Sequence, residues 1–358
     1  MLKRLWSIGA GILIASLIAS GQTGPTLVGA GYDLPALRLA PGQITTLFVT
    51  GLNTVLQSGL ISATSVPLPT TLGGISVTLN PNSYVASPVP LLSVQQTPVC
   101  YSGTSSASTG NTPDCVITAI TVQMPVNLGL VIYDPLTGTT PPPQLPTVLV
   151  ISENGNPSKA FNVIPVPDKL HVLTDCDNFL IGSFKSVLVG HDSLCDAMVT
   201  HSDGTMVSAA NPAMAGETVV VYAVGLGPTK PVVNSGDRTP STPPVVERTV
   251  FIQFDFHRNA APARPYPDPS MGDTLGLSTP QFVGLTPRQI GLYQINIQLP
   301  NRFPTIDACS AVSVCTGNSI YCGGQIQSNL TIDIGGVNNT GTGSLASFDG
   351  ARICVKPQ

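Results

Sequence analysis

The segment ALRLAPGQITTLFVTGLN, residues 36–53, returns in altered form as ANPAMAGETVVVYAVGLG, residues 210–227. A shift of 174 places Gly42 on Gly216, Phe48 on Tyr222, Gly51 on Gly225 and Leu52 on Leu226, with a β-branched run between the glycines of both copies. A second match lies downstream, where ITVQMP at 120–125 aligns with INIQLP at 295–300 at a shift of 175. Two motifs that hold register to within one residue over such a distance mean that one architecture is built twice in this chain. Its 358 residues suffice for that, because a single core stops growing at roughly 250–300 residues.

Each copy reads as a strand. In ITTLFVTGL and TVVVYAVGL, β-branched and aromatic residues form a short run bounded by glycine, as in a sheet of a β-sandwich. Pro41-Gly42 and Ala215-Gly216 turn the chain into these strands. Gln123 and Gln298 alternate with apolar neighbours in the second motif, and Pro125 and Pro300 end it by withholding a ladder donor. No stretch beyond the amino terminus carries a helical period. Short strands with turn signals at intervals of about ten residues predict an all-β chain of two tandem immunoglobulin-like sandwiches.

Composition sets the compartment. Charged residues are only 9% of the chain, against ~25% in an ordinary soluble domain. Fifteen Lys and Arg are scattered, and the net charge of -4 offers no basic face; nucleic acid is therefore excluded as a partner. The amino terminus places Lys3 and Arg4 before an apolar run from Leu5 to Ile18 and then the small residues Ala19, Ser20 and Gly21, which reads as a secretory signal peptide over 1–21. The run is shorter than the ~20 residues a membrane span needs, so no span is expected in the mature chain. The mature protein is expected to be secreted, at the cell surface or periplasmic.

Eight cysteines follow that leader: Cys100, Cys115, Cys176, Cys195, Cys309, Cys315, Cys322 and Cys354. An even number in an oxidising compartment predicts disulfides. Nearness in sequence favours Cys100 with Cys115 and Cys176 with Cys195, then Cys309 with Cys315 and Cys322 with Cys354, the pairing of the last four being left open. Closing a loop of about 15 residues removes ~3 kcal/mol of denatured-chain entropy, so the bridges act as staples on long loops.

The run HSDGTMVSAANPAMAGETVVVYAVGLGPTKPVV, followed by FVGLTPRQIGLYQINIQLP, resembles the Solibacter-type C-terminal domain of secreted acidobacterial proteins, an IPT/TIG-like, immunoglobulin-like module. LAPGQITTLFVTGL and PLPTTLGGISVTLN resemble a related module that precedes it. The resemblance spans most of 36–167 and 200–335 and implies a fold and an extracellular address, but no catalytic residue. The sequence departs from the pattern at 301–322 and 257–273. Together with the register of the repeat, this sets a first module at 22–167 and a second at 168–358, with 168–196 adding strands or a bridged loop at the junction.

Candidate chemistry concentrates in that junction. Cys176, His191 and Cys195, with His171 and His201 nearby, are ligand types zinc prefers. The oxidising compartment instead pairs the thiols and leaves the histidines as surface or turn residues. His191, Asp192 and Ser193 hold the residue types of a hydrolase but lack a Gly-x-Ser-x-Gly elbow and a strand-to-helix setting. Asp175 and Asp177, and Asp268 and Asp273, read as turn formers rather than the paired acids of a glycosidase or a calcium loop. Asp203-Gly204 reads as a hairpin turn. Gly225-Leu226-Gly227 has no following helix to cradle phosphate; it releases a strand into a turn. Aromatic residues are 5%, which argues against a platform of stacked rings for carbohydrate, although Tyr101, Tyr266, Tyr293 and Tyr321 are available.

No catalytic, cofactor or metal residue is therefore expected. The leading expectation is a non-catalytic extracellular protein for adhesion, surface assembly or capture of a polymer or surface protein. The alternative is a secreted hydrolase with its site in 168–201. If the protein binds a ligand, the cysteine-rich insertion 307–324 and the Pro-rich segment 258–273 are the expected recognition loops, the alternative, which disulfides outside the cell favour, being that the bridges only protect a secreted loop from proteolysis.

Overall fold

The computed structural model describes residues 26–30, 37–80, 86–98, 116–128, 147–175, 177, 196–254, 278–303, 329–334 and 347–356. The described residues are all-β, without a helix, and none forms a helix long and apolar enough to cross a membrane. Strands β1 (Thr26–Ala30), β3 (Ile44–Thr50), β9 (Val116–Gln123), β8 (Leu91–Pro98) and β4 (Leu60–Ser62) form one sheet in that order. A second sheet is β2 (Leu37–Leu39), β11 (Asn156–Pro165), β10 (Thr147–Glu153), β6 (Ile75–Asn80) and β5 (Thr71–Leu72), with β7 (Ser87–Val89) also on β6. A third is β12 (His171–Val172), β14 (Thr218–Val224), β19 (Tyr293–Gln298), β18 (Phe282–Leu285), β16 (Val245–Val246) and β15 (Thr229–Lys230), with β13 (Val199–His201) on β14. The fourth is β17 (Val250–Phe254), β20 (Leu330–Ile334) and β21 (Phe348–Ala351).

Two cores lie between these sheets. Leu47, Val49, Ile120 and Val122 of the first sheet pack on Leu39, Val77, Leu149 and Ile151 of the second. Val219, Val221, Ile295 and Ile297 of the third pack on Ile252, Leu330, Ile332 and Ile334 of the fourth. Alternation explains the choice of face: Ile75, Val77 and Leu79 are buried while their neighbours are half-exposed. Each buried Val, Leu or Ile contributes about 1.5–3 kcal/mol, and a slip of one residue would turn the whole row to the wrong face. Asn154-Gly155 closes the β10–β11 hairpin with positive φ at both positions, 49° and 82°, the backbone a two-residue turn requires.

The repeat is structural. β3 and β9 pair antiparallel with Ile44 opposite Gln123 and Phe48 opposite Ala119. β14 and β19 pair antiparallel with Thr218 opposite Gln298 and Tyr222 opposite Gln294. The shifts of 174 and 175 convert one register into the other. The turns entering β3 and β14 also correspond. Gly42 and Gly216 both take positive φ, 69° and 74°. Gln43 N–H bonds Ala40 O as Glu217 N–H bonds Met214 O, and the side chains of Gln43 and Glu217 reach back to the same two amides at 2.9 and 2.8 Å.

The correspondence extends beyond the motifs. Leu39 pairs in parallel with Pro165, and Ala213 with Val355, closing the edge of each sandwich. Val166 N–H and Lys356 N–H then donate to Leu39 O and Ala213 O.

Candidate functional site

Of the residues expected to carry chemistry, His171, Asp175 and Asp177 lie on the segment that connects the two cores, part of which is itself a strand. Val166 N–H still bonds Leu39 O of the first core. Three residues on, Lys169 N–H bonds Gly225 O at 2.7 Å, and β12 then pairs with β14, His171 opposite Val224. Leu170 and Val172 enter the second core, whereas Leu173 joins Ile44 and Val224 in a small apolar cluster between the two, with Leu92, Met198, Tyr222 and Leu292 packed against it.

The Gly-Leu-Gly motif makes this crossing possible. A Cβ on Gly225, at φ +77°, would lie 1.9 Å from Lys169 O, and one on Gly227, at φ +84°, would lie 2.5 Å from Pro167 O. Only glycine permits both the backbone conformation and the approach. Leu226 between them is fully buried.

Further bonds cross between the cores. Gly236 N–H donates to Gln123 Oε1 at 2.6 Å, Val126 N–H to Ser235 Oγ at 2.9 Å, and Leu68 N–H to Gly236 O at 3.0 Å. Tyr293 donates its hydroxyl to Gly227 O at 2.5 Å, and burial pushes that phenol well above its ordinary range. A narrow cleft opens beside these bonds, walled by Pro41, Val126, Pro228, Val232 and Leu285, with Gln123 and Tyr293 at its polar side. Among the described residues no charged side chain lines it.

Two clamps hold Asp168, His171 and Asp177 of the junction against Arg248, Ser347 and Asp349. Asp168, whose side chain is wholly buried, accepts Ser347 N–H at 2.9 Å, the Ser347 hydroxyl, and Arg248. Ser347 Oγ in turn accepts Leu170 N–H at 2.9 Å. His171 sets Nε2 on Asp177 Oδ1 at 2.9 Å and Nδ1 on Asp349 Oδ2 at 3.3 Å. Burial by itself would lower the imidazole's pKa. The bonds to Asp177 and Asp349 and their charges overcome it and raise the pKa from 6.5 to about 9.

Asp177 also accepts Thr174 N–H and its hydroxyl. Burial opposes its ionisation, and these bonds together with His171 hold it below the usual carboxylate range. An imidazole with both nitrogens donating to carboxylates is neither a general base nor a metal ligand near neutral pH.

His171 and His201 are thus not the ordinary surface or turn residues the sequence suggests. Each ring is largely shielded and bonded at both nitrogens, His201 to Glu217 and to Asn211 O. Burial disfavours its charge, but Glu217 and Asn211 raise its pKa. Asp175 accepts Asp196 N–H at 2.8 Å, a bond between residues 21 apart in the chain. Asp203 accepts Thr205 N–H and its hydroxyl beside Gly204, at φ +86°.

Cys354 is disulfide-bonded and packs in the second core. Cys100, Cys115, Cys176, Cys195, Cys309, Cys315 and Cys322 lie outside the described residues, as do His191, Asp192, Ser193, Asp268, Asp273, Tyr101, Tyr266, Tyr321 and the loops 258–273 and 307–324. Among the described residues no three His, Cys, Asp or Glu side chains are placed to hold a metal ion.

No family model matches the chain, and no curated protein matches it. Among solved structures, the adhesin InvE of Yersinia pseudotuberculosis matches at 15% identity, over 78% of this chain and 54% of that one, with a TM-score of 0.17. A likeness of that strength carries no argument about fold or function.

Proposed function

We propose that this protein is a non-catalytic extracellular binding protein, used for adhesion, surface assembly or capture of a polymer or surface protein, and that it presents its surfaces on a stiff pair of immunoglobulin-like modules. The observation that supports this most is the junction, where three hydrogen bonds and a small apolar cluster join the two cores, while the connecting strand and two ionic clamps anchor the linking segment on the second core. Such coupling suits a body that displays a fixed surface, because rigid presentation lowers the ordering cost of binding. The engagement of His171 and His201 with carboxylates supports the same reading, and the secretory leader and paired cysteines fit an extracellular address.

The test uses the purified mature chain against a panel of polysaccharides and cell-surface extracts, scored for retention and for released products. Saturable retention without product is expected. Product release that Ser193→Ala abolishes would replace this reading with the hydrolase.

A further inference from the structure

We propose that the outward face of the third sheet, centred on Phe282, binds a neutral polysaccharide chain. The inference rests on the binding role above and gives it a ligand class. Along β19, Tyr293, Ile295 and Ile297 are buried in the core, so Gln294, Asn296 and Gln298 line the opposite face, spaced about 7 Å apart as alternate strand residues are. Their strand neighbours share that face: Phe282 opposite Asn296 and Gly284 opposite Gln294 on one side, Thr218 opposite Gln298, Val220 opposite Asn296 and Tyr222 opposite Gln294 on the other, the face ending at Tyr222, which packs into the apolar cluster of the junction.

Gly284 shapes the centre of this surface. A Cβ there would meet Pro244 O at 2.2 Å and Phe282 Cζ at 2.6 Å, so the ring runs along the strand over the glycine, beside the Pro244 carbonyl. The ring is partly exposed, and an aromatic side chain gives a ligand a large apolar area to pack on. Around it the amides form a relay, Thr218 hydroxyl to Gln281 Oε1 at 3.2 Å, Gln281 Nε2 to Gln298 Oε1 at 3.3 Å, and Gln294 Nε2 to Asn296 Oδ1 at 3.4 Å. These bonds are long and mostly exposed, hence readily exchanged. Among the described residues these bonds leave Asn296 Nδ2 and Gln298 Nε2 as donors and Gln294 Oε1 as an acceptor.

Sugar hydroxyls both donate and accept, and the C–H face of a pyranose is apolar, so a ring flanked by open amides matches both properties. Apart from the phenol of Tyr222 at the junction end, none of these residues is ionisable and none is cationic, and a carboxylate or sulfate placed there would lose water without gaining a counter-charge. The repeat gives a contrast. The counterparts of Gln294 and Asn296 in the first module are Ala119 and Thr121, both buried, and Thr121 is bonded to Thr46 at 3.0 Å. The amide row belongs to the copy in which these positions are partly exposed.

The test is affinity electrophoresis of the mature chain through gels holding neutral polysaccharides (hydroxyethylcellulose, xylan, galactomannan, laminarin) or acidic ones (polygalacturonate, alginate). At least one neutral polymer is expected to retard the protein. Phe282→Ala should weaken that at least about tenfold, as one lost stacking contact does, with Phe282→Tyr restoring it. If Phe282→Ala misfolds, the surface pair Asn296→Ala and Gln298→Ala should still lose retardation at an unchanged melting temperature. Retardation by acidic polymers alone, or by none, overturns the inference, as does wild-type retardation of the Asn296/Gln298 variant. Retention on a protein-containing surface extract without polysaccharide retardation refutes this site and leaves the proposed function standing; turnover of any polymer refutes both.

Discussion

Replacing His171 by glutamine keeps a polar side chain between Asp177 and Asp349 but removes the positive charge both carboxylates face. The imidazole is only 17% exposed, so solvent screens the pair weakly. Raising its pKa from 6.5 to about 9 corresponds to about 3 kcal/mol, at ~1.4 kcal/mol per pH unit between folded and unfolded values. The folded value is the higher one, so the contribution is fully present below the unfolded pKa near 6.5, declines as pH rises, and is gone above about 9. Asp177 acts in the opposite sense: its lowered pKa stabilises above 3.8, and that share is lost as pH falls through its folded value. Urea unfolding of wild type and His171→Gln at pH 5.5, 7.5 and 9.5 should give a gap of about 3 kcal/mol that shrinks and then closes. A gap of equal size at pH 5.5 and 9.5, or a His171 ring proton titrating near 6.5 by NMR, would refute the reasoning.

The repeat supplies its own controls for other predictions. Gln123→Ala should cost ~1–3 kcal/mol, because it leaves Gly236 N–H buried without its partner, whereas Gln298→Ala at the equivalent, exposed position should stay within about 0.5 kcal/mol; equal costs in denaturant unfolding would contradict the junction geometry. Gly204→Ala carries only the positive-φ penalty, since nothing lies within 4 Å of the new Cβ, about 1–2 kcal/mol. Gly225→Ala adds a collision with Lys169 O and should lower the melting temperature clearly more. Cys354→Ser should cost ~2–5 kcal/mol, and non-reducing peptide mapping should find Cys354 in a disulfide; a free Cys354 thiol would overturn both.

Strand and turn were legible because they depend on local chemistry. β-Branched runs between Gly42 and Gly51 and between Gly216 and Gly225 give β3 and β14, and the shared spacing of ITVQMP and INIQLP gives their pairing partners. Asn154-Gly155 is an equally local hairpin signal. The clamp on His171 was not legible, because Asp349 arrives on β21 from far along the chain and only the folded topology brings the two together. The requirement for Gly225 was half visible: its turn could be read, while the Lys169 carbonyl packed against its Cα could not. Phe282 escaped for a similar reason, since a count of aromatic residues does not show one of them lying over Gly284 beside a row of amides.

That the two repeats act as one stiff body is the claim on which the proposed function depends. Spin labels attached without cysteine chemistry at Leu60 on β4 and Val245 on β16, which are 38% and 47% exposed, test it through the distribution of distances between them. A single narrow peak in the wild type that broadens in Gly225→Ala is the expected result. A broad distribution in the wild type would contradict the account, because it would mean that the modules move independently.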